Sequence, residues 1–170
     1  MIQVHFARSL LAVAVLALLP GVTATVLSAQ GAQIAFGKTK QDTSLPVEVS
    51  ADNLAVNQND GTAIFSGKVL IGQGEMRLSA PKVQVFYSET GNKIERMKAS
   101  GGVTLVSGDD AAEATNADYN IETGIIIMQG NVLLVQGPSA LTAERMNIDT
   151  KAGTARMEGR VKTVLKPKDE

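Results

Sequence analysis

The chain has 170 residues, a formal net charge of -1, no cysteine, no tryptophan and a single histidine, His5. That length suits one domain with a core of its own and leaves little room for a second. The near-neutral charge argues against nucleic acid as a partner. The missing Cys and His exclude histidine-based nucleophilic triads, zinc sites of the usual kind and thiol redox centres from everything after the first few residues.

Residues 1–29 read as an export signal. His5 and Arg8 lie in a short polar lead, Ser9 to Leu19 is nearly unbroken Leu, Ala and Val, and Pro20-Gly21 ends the run. Small residues place processing between Ala24 and Ala32, with Val22-Thr23-Ala24 the best match. The run of about ten residues is short of the roughly 20 that span a bilayer, although extending it through Leu27 keeps an uncleaved membrane anchor as the alternative. Residues 30–44 then read as a flexible lead, 45–165 as one β domain and 166–170 as a charged tail.

The domain carries an internal repeat. Gly-x-Val occurs at Gly67, Gly101, Gly130 and Gly159, at spacings of 34, 29 and 29 residues. A second marker, an alanine opening a similar block, stands at Ala51, Ala80, Ala114 and Ala143, at spacings of 29, 34 and 29. From each of the first three valines to the next marker alanine the distance is 11 residues, with a glycine (Gly74, Gly108, Gly137) five residues after the valine. One five-residue insertion around Thr90 to Arg96 accounts for the longer interval.

Between these markers the apolar residues alternate. In chain order the pairs are Val47/Val49, Leu54/Val56, Ala63/Phe65, Val69/Ile71, Met76/Leu78, Val83/Val85, Val103/Leu105, Tyr119/Ile121, Ile126/Met128, Val132/Leu134 and Met146/Ile148. Period two means strands with one buried face. Asn59-Asp60-Gly61, Gly108-Asp109-Asp110, Thr123-Gly124 and Gly137-Pro138 supply the turns. About ten or more short strands and no helix are expected. A glycine at one phase of every unit (Gly67, Gly101, Gly130, Gly159) predicts a structural corner where the sheet folds over, with the marker alanines at the opposite corner.

Other sites weigh little. Asn57 to Gly61 lacks the spaced acidic ligands of a calcium loop, and a hairpin turn explains it. Asp109/Asp110 and Glu113/Asp118 sit on turn-rich segments where solvated charge is the ordinary reading, so no catalytic, metal or cofactor site is expected. No basic residue lies between Lys98 and Arg145, whereas seven lie from Arg145 to Lys168, an asymmetry that permits head-to-tail complementarity.

The blocks Ala51-Asp52-Asn53-Leu54, Gly61 to Val69 and Gly124 to Val132, four copies deep behind an export signal, resemble the OstA-like (LptA) domain family of lipopolysaccharide-transport proteins over about residues 45–165. The resemblance implies an all-β twisted open jellyroll of two antiparallel sheets, built from about four 29-residue repeats. It also implies a periplasmic, non-enzymatic carrier that binds the lipid A part of lipopolysaccharide, works with inner-membrane and outer-membrane components of the pathway, and assembles head to tail through its edge strands. The trough would be lined by Val47, Val49, Val56, Phe65, Val69, Ile71, Leu78, Val85, Val103, Leu105, Tyr119, Ile121, Met128, Val132, Leu134 and Ile148. Apolar lining is what the task needs, because an acyl chain of a dozen methylenes costs roughly 10 kcal/mol to hold in water. The same residues could instead meet one another in a closed core, the form that periodicity alone favours. Other functions that fit are an inner-membrane-anchored partner in the same pathway and an exported β-solenoid scaffold or adhesin module.

Overall fold

A computed structural model of the chain describes residues 33–37, 42–91 and 93–164. The export signal and the charged tail of the sequence reading lie outside the described residues. Those described form eleven strands and no helix: β1 (Gln33–Ala35), β2 (Glu48–Ser50), β3 (Asn53–Asn57), β4 (Thr62–Gln73), β5 (Met76–Tyr87), β6 (Ile94–Ser107), β7 (Asp110–Asn120), β8 (Ile125–Gln136), β9 (Ser139–Asp149), β10 (Thr154–Glu158) and β11 (Lys162–Val164). All pairings are antiparallel, and β4 to β10 follow one another as a meander.

Each long strand is bent in its middle, and the repeat explains where. On β4, β6 and β8 the register against both neighbouring strands slips by one residue at the Gly-x of Gly-x-Val, which is a β-bulge. Gly67, Gly101, Gly130 and Gly159 have φ of 79, 92, 82 and 76°, and the residues after them, Lys68, Gly102, Asn131 and Arg160, have 46, 98, 50 and 45°. Two successive left-handed residues turn the chain sharply, and the extra residue keeps hydrogen bonding intact on either side. Glycine is needed at Gly130 for a second reason, since a Cβ there would stand 2.7 Å from Thr115 Oγ1 and 2.9 Å from Thr115 Cβ.

The bends divide the sheet into two arms. The first arm holds β3, residues 62–66, 82–86, 96–100, 116–120, 125–129 and 145–149, then β10 and β1; the second holds β2, residues 69–73, 76–79, 103–107, 110–113, 132–136 and 139–143, then β11. The two expected sheets are thus arms of one continuous hydrogen-bonded ladder, because a bulge bends a strand without ending it. The marker alanines stand elsewhere than expected. Ala80, Ala114 and Ala143 are the register partners of Val69, Val103 and Val132, so they share the same corner and pack beside it.

Inward residues of the two arms meet in one core from Ala63 on β4 to Met157 on β10. The lead expected to be flexible contributes to it. Its residues Gln33–Ala35 pair with β10, Phe36 is buried at 4% exposure, and the Phe36 N–H donates to the Gly153 carbonyl at 3.0 Å. Alternation decides this: Ile34 and Phe36 fall on the inward phase, so laying the segment on β10 buries both.

Candidate functional site

The candidate site is the inner face of the folded ribbon. Of the sixteen residues expected to line a trough, Val69, Ile71, Leu78, Val85, Val103, Leu105, Tyr119, Met128, Val132, Leu134 and Ile148 are buried. Val47, Val49, Phe65 and Ile121 are partly buried and pack against that cluster. Val56 differs, being 62% exposed. It is nonetheless on the inner face, since its register partner is the buried Ala63, just as its neighbour Leu54, 56% exposed, faces Phe65. The lining is therefore filled by its own side chains along most of its length and bare at the β3 end.

The ends are unlike. At one, β3 pairs with β4 alone among the described residues and leaves Leu54 and Val56 uncovered. At the other, β1 covers β10, placing Ile34 opposite Ala155 and Phe36 in the core. One depression on the outside of the ribbon, of about 370 Å³, is lined by Lys82, Gln84, Lys98, Ser100, Asn116 and Asp118 among others.

Polar side chains tie the arms together across the mouth opposite the bends. Tyr119 on the first arm donates its phenolic hydrogen to Gln73 Oε1 on the second at 2.8 Å. Gln73 Nε2 donates in turn to the carbonyls of Thr43 and Leu45, at 3.1 and 3.0 Å. Asp110 Oδ2 accepts from the Gly37 N–H at 2.8 Å and from Gln136 Nε2 at 2.9 Å, and Gln136 Nε2 also lies 2.9 Å from the Ala35 carbonyl. The first tie is direct and braced by Thr43 of the lead, and the second runs through Ala35 and Gly37 of the lead. Burial pushes the Tyr119 phenol above its usual pKa, which keeps it a neutral donor.

Gln73, Asp110, Gln136, Ile34 and Phe36 were missing from the sequence-derived site. Two signals pointed to some of them. Gln73 continues the inward phase of Val69 and Ile71, where a polar residue needs a buried partner, and it is 1% exposed. The segment Gln33-Ile34-Ala35-Phe36 also repeats the pattern of Asn53-Leu54-Ala55-Val56 twenty residues later. The acidic pairs have other work: Asp110 holds the lead, and Asp118 receives Arg96 in an exposed ion pair.

Residues 48–154 match the family described as LptA/(LptD N-terminal domain) LPS transport protein. Among curated proteins the chain is 29% identical over 92 residues to the uncharacterized protein R00383 of Rhizobium meliloti, covering 50% of each. It is 34% identical over 91 residues to the LPS-assembly protein LptD of Sodalis glossinidius, covering 52% of this chain and 12% of that one. The chain thus spans half the length of one relative and a small part of the other. Its fold is similar to that of LptH, the LptA homologous periplasmic component of the lipopolysaccharide transport device from Pseudomonas aeruginosa. That match has a TM-score of 0.67 and 16% identity, over 75% of this chain and 99% of that one. The jellyroll is common to both, and with the match over more than half its length the chain belongs to the LptA/LptD N-terminal domain family of LPS transport proteins.

Proposed function

We propose that this protein is a periplasmic carrier that shields the lipid A acyl chains of lipopolysaccharide between its two arms and passes them from the inner towards the outer membrane. The observation that carries the reading is the inner face. It is mainly aliphatic from β4 to β10, with Phe65 and Tyr119 among the aliphatic residues, runs unbroken across the repeat, and ends at β3 with Leu54 and Val56 bare on the inward side. Aliphatic side chains without tryptophan make a pliable lining that accepts flexible chains rather than a rigid ligand. Partners in the two membranes and further copies of the chain would add to the ends of the ribbon through edge strands, extending the apolar surface.

Photo-crosslinking in cells tests the reading. A crosslinker at Val56, Leu105, Tyr119 or Ile121 should capture lipopolysaccharide, and one at the outward Glu48 should not. Equal capture at both sets, or none at the inner positions in a folded and exported protein, would sink the carrier role and leave an exported β scaffold.

A further inference from the structure

The edge that a following copy would need is already occupied by the chain's own lead. This inference rests on the head-to-tail reading above and adds its regulation. β10 is the last strand of the first arm, and β1 lies against it, antiparallel, with Gln33, Ile34 and Ala35 opposite Arg156, Ala155 and Thr154. β3 is the first strand of the same arm, is exposed throughout, and has an unpaired outer edge among the described residues.

Two independent features connect these strands. The first is sequence: Gln33-Ile34-Ala35-Phe36 and Asn53-Leu54-Ala55-Val56 share the order carboxamide, branched aliphatic, alanine, large apolar residue. In both, the second residue faces inward, Ile34 against the buried Ala155 and Leu54 against Phe65. The second is parity. Without β1, the first arm contains eight strand segments, β3, one from each of β4 to β9, and β10, all antiparallel to their neighbours. With an even number, a second copy added in the same orientation brings its β3 antiparallel to β10, the direction that β1 runs. An odd number would have made that contact parallel.

We infer that β1 is an intramolecular stand-in for the β3 strand of a second copy, so that the head-to-tail contact forms only when β1 leaves β10. Leu54 and Val56 of the arriving copy take the inward places of Ile34 and Phe36, which keeps the apolar phase of the edge.

Apparent affinity between copies is then lowered by the fraction of molecules whose β10 edge is free. The stand-in also keeps the β10 edge from pairing indiscriminately.

Self-association of the purified protein, measured by sedimentation over a wide concentration range, tests this with four variants, one of them Leu54→Asp with Val56→Asp alone. Ala35→Cys with Thr154→Cys, at directly opposed positions in a chain without other cysteines, locks β1 in place when oxidised. The oxidised form should associate at least about tenfold more weakly than the same protein reduced. Ile34→Asp with Phe36→Asp frees β10 and should strengthen association by about tenfold or more. Adding Leu54→Asp and Val56→Asp to that variant should abolish the gain. If oxidised and reduced forms associate equally while Leu54→Asp with Val56→Asp blocks association, the stand-in is wrong and head-to-tail docking survives. If every variant stays monomeric, docking itself fails and takes this inference with it. Association of the freed variant that persists after Leu54→Asp and Val56→Asp would mean sticking of an exposed core, and would also overturn the inference.

Discussion

Replacing Gly130 by alanine tests the account of the bends most directly. The position has φ of 82°, and an added Cβ would stand 2.9 Å from Thr115 Cβ and 2.7 Å from Thr115 Oγ1. Left-handed backbone costs an alanine about 1–2 kcal/mol, and forcing a methyl into a filled corner adds about 1–3 kcal/mol. Gly102 is the internal control. Its φ is 98° and nothing lies within 4 Å of the Cβ position, so Gly102→Ala should show the backbone cost alone. Urea unfolding of both variants separates the two terms. With a slope of about 2 kcal/mol per molar, Gly130→Ala should lower the midpoint by roughly 1–2.5 M and Gly102→Ala by about 1 M at most. Equal losses at the two positions would refute the steric half of the argument, and no loss at either would refute the backbone half.

Tyr119→Phe removes the phenolic hydrogen bond to Gln73 and should cost about 1–2 kcal/mol at neutral pH, read from the same unfolding curves. Because burial raises the Tyr119 pKa, the parent's stability from this group is complete below the ordinary tyrosine value of about 10 and is lost as pH rises through the folded value. The phenylalanine variant should lack that alkaline loss, and an unchanged alkaline limb would contradict it. Asp110→Ala removes the acceptor of the Gly37 N–H, so hydrogen exchange at the Phe36 amide should quicken by about tenfold while that at Leu105 stays slow; uniform quickening would mean a global effect instead. Arg96 and Asp118 form an exposed ion pair, and a double-mutant cycle should give under about 1 kcal/mol, fading in high salt.

The sequence made the fold legible because period two and the Gly-x-Val marker are both local signals. Inward and outward phases, hairpin turns and the corner glycines could be read without knowing what packs on what. Whether the two arms touch could not, since Leu105 or Met128 would occupy the inward phase of an open trough and of a filled core alike. The role of the lead was hidden for a different reason. Ile34 and Phe36 look like two apolar residues in a short linker, and their burial depends on β10, more than a hundred residues away. Gln73 was legible in part: its phase announced a buried amide, but only the fold brings Tyr119 to it.

A filled interior is compatible with carrying a fatty chain because of what the exchange would involve. Side chains of the two arms that now cover one another would cover methylenes instead, so the protein's own apolar burial is largely kept. The lipid gains about 0.8 kcal/mol for each methylene withdrawn from water. The polar losses are few: the Tyr119 to Gln73 tie, and the second tie made by Gly37 to Asp110 and Gln136 to Ala35, close the mouth, each bond worth on the order of 1–2 kcal/mol. A chain of about a dozen methylenes outweighs both. An opening of the arms would fall on the paired left-handed residues at each bend, such as Gly130 and Asn131, where the ladder is already interrupted.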